Sequence, residues 1–75
     1  MHDDNLIRMA NQIGTFFASM PDRKEALEGT ASHLRKFWEP RMRRALLARI
    51  DAGNCPQLSD FVRQAVQEYR EQIEA

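Results

Sequence analysis

Cysteine is almost missing from this sequence. Cys55 stands alone among 75 residues, which excludes any disulfide within the chain. Histidine is nearly as scarce, and Cys55, His2 and His33 show none of the paired spacings of a structural zinc site. No apolar run approaches the roughly 18 residues that a membrane span needs. The amino-terminal Met-His-Asp-Asp-Asn has no basic stretch leading into an apolar one, as a secretory signal would. A lone cysteine also suits a reducing compartment. Together these absences predict a soluble, cytoplasmic chain that does not enter a membrane. They also leave a small fold without its usual staples. A domain of this length buries only about 60% of the surface its unfolded chain exposes. Well-packed helices or a partner must supply the remaining stability.

Excess charge of either sign is lacking too, since eleven bases balance eleven acids. The balance conceals a pattern. Residues 1–32 carry five acids and three bases, whereas residues 33–50 carry six bases and only Glu39. Residues 51–75 return to five acids and two bases. The middle is therefore near +5, between flanks near −2 and −3.

Glycine and proline, three of each, divide the chain into segments whose apolar residues recur at helical spacing. The first segment runs from about Asn5 to Ala18, with Asp3 or Asp4 available as its cap. Its apolar stripe is Leu6, Met9, Ala10, Ile13, Phe16, Phe17 and Met20. Gly14 inside it either permits a close backbone approach or is merely tolerated, at about 1 kcal/mol relative to alanine. After Pro21, Asp22-Arg23-Lys24-Glu25 opens a second helix in the manner of a capping box. That helix continues through Leu27, Thr30, Ala31 and Leu34 to Phe37 or Trp38, weakened midway by Gly29. Pro40 suits the first turn of a third helix and pushes Glu39 out of helical geometry. Gly53-Asn54 stops it, with Pro56 shortly beyond. Ser59 can cap a last helix bearing Phe61, Val62, Ala65, Val66, Tyr69 and Ile73, and the polar turns after Tyr69 are expected to fray. There is no strand signal of useful length. Three to four short helices with tight connections predict an all-α fold, a small bundle forming a single domain over residues 1–75.

Catalytic chemistry is hard to assemble from these residues. Cys55 falls in a predicted loop that can expose its thiol, but no neighbouring cation or imidazole in sequence would depress its pKa. His33 sits beside Arg35 and Lys36, which suits a surface or interface residue better than a general base. Glu25 and Glu28, or Glu71 and Glu74, have ordinary solvated-face spacing. No glycine-rich phosphate loop, His-Glu-x-x-His or Cys-x-x-Cys is present. The readings are therefore no catalytic residues, no metal ligands and no cofactor bound by this chain.

Residues 33–44, His-Leu-Arg-Lys-Phe-Trp-Glu-Pro-Arg-Met-Arg-Arg, form the strongest local signal. Bases mixed with aromatics also mark nucleic-acid surfaces. Here, however, Arg41 and Arg44 align while Arg43 points elsewhere, and a neutral chain attracts phosphate weakly at long range. A small helical nucleic-acid-binding module stays a secondary reading. Phe, Trp, Met and Arg are the types enriched at protein–protein interface cores, and Phe37, Trp38, Arg41, Met42 and Arg44 gather all four around a proline-fixed corner. Adjacent aromatics on a helix point about 100° apart, so one of Phe37 and Trp38 is a candidate for outside contact. The same holds for Phe16 and Phe17. The opposing reading is that Trp38, Pro40 and the Arg-Met-Arg run simply maintain the bundle.

These same residues carry a family resemblance. Asn5-Leu6-Ile7-Arg8-Met9-Ala10-Asn11-Gln12-Ile13, Phe16-Phe17, Ala31-Ser32-His33-Leu34, Phe37-Trp38-Glu39-Pro40-Arg41-Met42-Arg43 and the stretch from Leu58 to Val66 are its landmarks. Over about residues 5–68 the chain resembles the small delta subunit of soluble, NAD-dependent, molybdenum-containing formate dehydrogenases. The resemblance implies a non-catalytic companion of the large subunit that holds the molybdenum cofactor and iron–sulfur clusters. It implies a role in assembly, stability or cofactor maturation, and no catalytic residue to carry over. No large departure from the family pattern is present, although Cys55 and the acidic tail are peculiar to this chain. A transient maturation chaperone handling the molybdenum cofactor is the alternative, and contact between the arginine cluster and that anionic cofactor is a further one. The predicted partner-binding corner comprises His33, Phe37, Trp38, Pro40, Arg41, Arg43 and Arg44, with Arg8, Asn11 and Gln12 beside it. Self-association of the isolated chain through exposed apolar surface is also anticipated.

Overall fold

A computed structural model describes residues 2–53 and 55–74, with side chains from Asn5 onward. Its helices are α1 (His2–Ala18), α2 (Arg23–Phe37), α3 (Pro40–Asp51), α4 (Asp60–Glu68) and α5 (Arg70–Glu74). No strand occurs among the described residues. The fold is the expected all-α bundle, with one more helical piece than anticipated.

Local sequence explains most of the boundaries. The Asp22 carboxylate accepts the Glu25 backbone N–H at 3.2 Å, and the Ser59 hydroxyl oxygen accepts that of Val62 at 3.1 Å, so α2 and α4 begin at capped ends. Trp38 and Glu39 are extended ahead of Pro40, the first residue of α3, and for Glu39 steric clash with the proline ring favours this geometry. After α3, Gly53 takes φ +69°, a left-handed conformation open to glycine without a Cβ penalty. Asn54, its expected companion in the stop signal, lies outside the described residues.

Packing settles what propensity left open. Gly14 is a point of close approach, because a Cβ there would lie 2.4 Å from Cγ2 of Val62 on α4. Gly29 does not interrupt α2, whose 15 residues run unbroken. A Cβ on it would instead meet the Phe17 ring at 2.7 Å. The core draws Ile7 and Ala10 from α1, Ala31 and Leu34 from α2, Leu46 and Leu47 from α3, and Val62 and Val66 from α4. Helix α2 is central, packing against α1, α4 and α5.

Three expectations need correction. Helix α1 starts at His2, so Asp3 and Asp4 lie in its first turn rather than at a cap before Asn5. Cys55 is buried, because a turn closed by the Leu58 N–H on the Cys55 carbonyl at 3.1 Å tucks both residues into the core. The segment after Tyr69 does not fray. Tyr69 leaves helical geometry (φ −117°, ψ 32°), and the bend redirects α5 so that Ile73 is buried. Arg43 donates from Nη1 to the Ile73 carbonyl at 2.9 Å, and Arg70 grips Asp51 through two hydrogen bonds of 2.8 and 2.7 Å. Polar composition suggested loose turns, but these two arginines supply the anchoring.

Candidate functional site

Helices α1 and α2 form an antiparallel hairpin, and their outer faces leave a groove of about 560 Å³ between them. Met9, Gln12, Ile13, Phe16 and Phe17 line one wall, His33 and Phe37 the other, and Trp38 closes an end. The helical stripe on α1 places Met9, Ile13 and Phe16 in successive turns facing the gap, and the four-residue step from His33 to Phe37 does the same on α2.

The aromatic rings form a continuous row. Phe16 meets Phe17 edge-on at 5.1 Å between centroids, Phe17 meets His33 at 6.0 Å, and His33 tilts against Phe37 at 4.8 Å. These are favourable distances for edge-on and offset aromatic contact. The row is nonetheless uncovered at both ends, with Phe16 70% and Phe37 71% exposed. Met9, at 39%, is the remaining large apolar side chain counted as exposed among the described residues. All three open into this one groove.

The predicted corner is only partly a surface. Of the adjacent pair, Trp38 turns inward at 6% exposure and Phe37 turns out. Arg43 is buried as well, with its Nη1 on the Ile73 carbonyl and its Nε without a partner among the described residues. These two side chains therefore belong to the interior of the bundle. Asn11 serves a joint, donating to the Gln57 carbonyl at 2.9 Å and accepting the Ser59 N–H at 2.8 Å, which ties the loop before α4 to α1. Arg8 lies on that flank, beside Asn11 and Gln57, and donates to the Asn5 side chain at 2.8 Å. Pro40 and Arg41 are exposed at the start of α3, and exposed Arg44 faces the hollow of Asp51, Arg70 and Glu74. Gln12, His33, Phe37 and Trp38 are the predicted residues that the groove brings together. Met9 and Ile13 are legible in the sequence only as part of an apolar stripe, whereas Phe16 and Phe17 are also legible as an adjacent pair of which one faces outward. The signal for them is the stripe's width, since six of its apolar positions fall on α1 and exceed what one buried face can absorb.

Chemistry of other kinds finds little footing here. Among the described residues, no three His, Cys, Asp or Glu side chains come together in a way that could hold a metal ion. No described helix is long and apolar enough to cross a membrane. The groove offers apolar area, ring faces and two polar groups, Gln12 and His33, which suits it to receiving another polypeptide. No curated protein and no solved structure matches the chain. The family model of the NADH-dependent formate dehydrogenase delta subunit, FdsD, matches residues 5–66, and the chain belongs to that family.

Proposed function

We propose that this chain is a non-catalytic, cytoplasmic subunit that docks on the large molybdenum- and iron–sulfur-bearing subunit of a formate dehydrogenase and supports its assembly, stability or cofactor maturation. One observation carries the reading: every large apolar side chain exposed among the described residues opens into one groove. Membership in the delta-subunit family supplies the identity of the complex. Soluble chains rarely leave clustered apolar area uncovered unless something binds there. The docking face is accordingly the α1–α2 groove with the exposed part of the corner, Phe37, Pro40 and Arg41. Trp38 and Arg43 act from within by holding that corner in shape.

Affinity purification of a tagged copy from its native cells, with metal analysis and formate-dependent NAD reduction, tests this function. Recovery of a stoichiometric, molybdenum-loaded, active enzyme is the expected result and marks a resident subunit. Recovery of the large subunit alone and without metal would instead assign the chain to transient maturation. Nucleic acid with neither would overturn the proposal.

A further inference from the structure

The apolar groove ends beside a basic turn of the chain, at Phe37 and Trp38. Trp38 lies at the end of the groove that leads into the corner between α2 and α3, where Lys36, next to Phe37, and Arg41 are exposed against Glu39 alone. Neither cation has a carboxylate partner among the described residues, although Arg63 pairs with Asp60 and Arg70 with Asp51 and Glu74 elsewhere. Among the described residues, the groove lining contains no carboxylate. From Met9 to Phe16 its α1 wall spans about 10 Å at 1.5 Å per residue, the length of two helical turns.

Resting on the subunit reading above, we infer that the α1–α2 groove receives an acidic amphipathic helix of the partner subunit, with apolar residues about three and four positions apart entering between Phe16 and Phe37 and carboxylates beside them meeting the corner cations. Helix-in-groove recognition uses such spaced apolar anchors. Apolar burial supplies the affinity, while the unpaired cations select an acidic flank and speed the encounter. Phe37 is the principal anchor, because it joins the aromatic row to the basic corner through the turn that carries Lys36.

The test replaces Phe37 with the photo-crosslinking residue p-benzoylphenylalanine in the tagged chain, expressed in its native cells, and maps the crosslinked peptide by mass spectrometry. A crosslink to an acid-flanked amphipathic segment of the large subunit is expected. Phe16→Gln with Phe37→Gln should lower retention of the large subunit about tenfold or more, with unchanged helix content by circular dichroism. Lys36→Glu with Arg41→Glu should weaken retention more in about 0.05 M than in about 0.5 M salt. A crosslink to a second copy of the chain, or to a basic or non-helical segment, would overturn the inference. So would full retention in both double variants, which would leave the subunit reading standing. Failure of the unaltered chain to retain the large subunit would remove both.

Discussion

The two sides of this bundle handle their exposed side chains in opposite ways. Where α3 meets α5, Arg70 is held by Asp51 and by Glu74, each at 2.7 Å, and Ile73 beneath them is buried. Along α1 and α2, Phe16 and Phe37 stand in solvent, and Lys36 and Arg41 at the corner have no carboxylate partner among the described residues. The first side is completed by its own contacts. The second leaves both apolar area and charge uncompensated, which an isolated small domain does not need for stability. The contrast explains how one short chain can hold a core and still leave an apolar face exposed, since the core draws on α2–α5 and the inner stripe of α1.

The sharpest way to break this comparison uses neighbouring residues. Trp38→Ala should cost about 3–5 kcal/mol, because it empties a core position. That is a large share of the roughly 5–15 kcal/mol available to a small domain. Phe37→Ala should stay within about 0.5 kcal/mol, as exposed substitutions usually do. Thermal unfolding followed by circular dichroism reads both. Equal losses would mean that the groove is part of the core and not a free surface.

A smaller effect separates the two helical glycines. Gly14→Ala brings a Cβ to 2.4 Å from Val62, whose side chain is locked in the core, so destabilisation of about 1–3 kcal/mol is expected. Gly29→Ala meets the ring of Phe17, which is half-buried and can swing toward the groove. There the gain in helix propensity of about 1 kcal/mol offsets the contact, and stability should change little. Urea midpoints of the two variants check the difference. If Gly29→Ala proves the more damaging, the groove wall is as rigid as the core.

The smallest effect lies in the ion pair that closes the other side. The hydrogen bonds from Arg70, reinforced by its charge, hold the Asp51 carboxyl below the usual carboxylate range despite opposing desolvation. A pKa lowered by folding contributes stability that is fully present above the unfolded value of about 3.9 and lost as pH falls through the folded value. Melting temperature should therefore drop slightly further between about pH 6 and pH 3 in the native chain than in Asp51→Asn. The pair is exposed and screened by solvent, so the difference should shrink in high salt. An identical pH dependence in the two proteins would mean that this side is not closed by the pair in solution.

Helix positions, the all-α class and the family landmarks were legible from residues alone, because caps, prolines and a period near 3.6 act over a few neighbouring positions. Asp22, Pro40, Ser59 and Gly53 behave as their local chemistry requires. The candidate site was half legible. Adjacent aromatics announce that one of each pair must face outward, but they do not say which. Choosing Phe37 over Trp38 depends on where α1 and α3 lie, and placing Phe16 in the groove depends on the space that Gly29 leaves for Phe17. Arg43 shows the limit most clearly. In the sequence it is one of a basic run, and only the return of α5, some 30 residues later, makes it an interior hydrogen-bond donor. The sequence by itself determined which segments are helical and which family the chain resembles, since both are written in short-range pattern. Tertiary structure decided which aromatics and arginines belong to the core and which stay exposed, because burial is set by contacts between residues far apart in the chain.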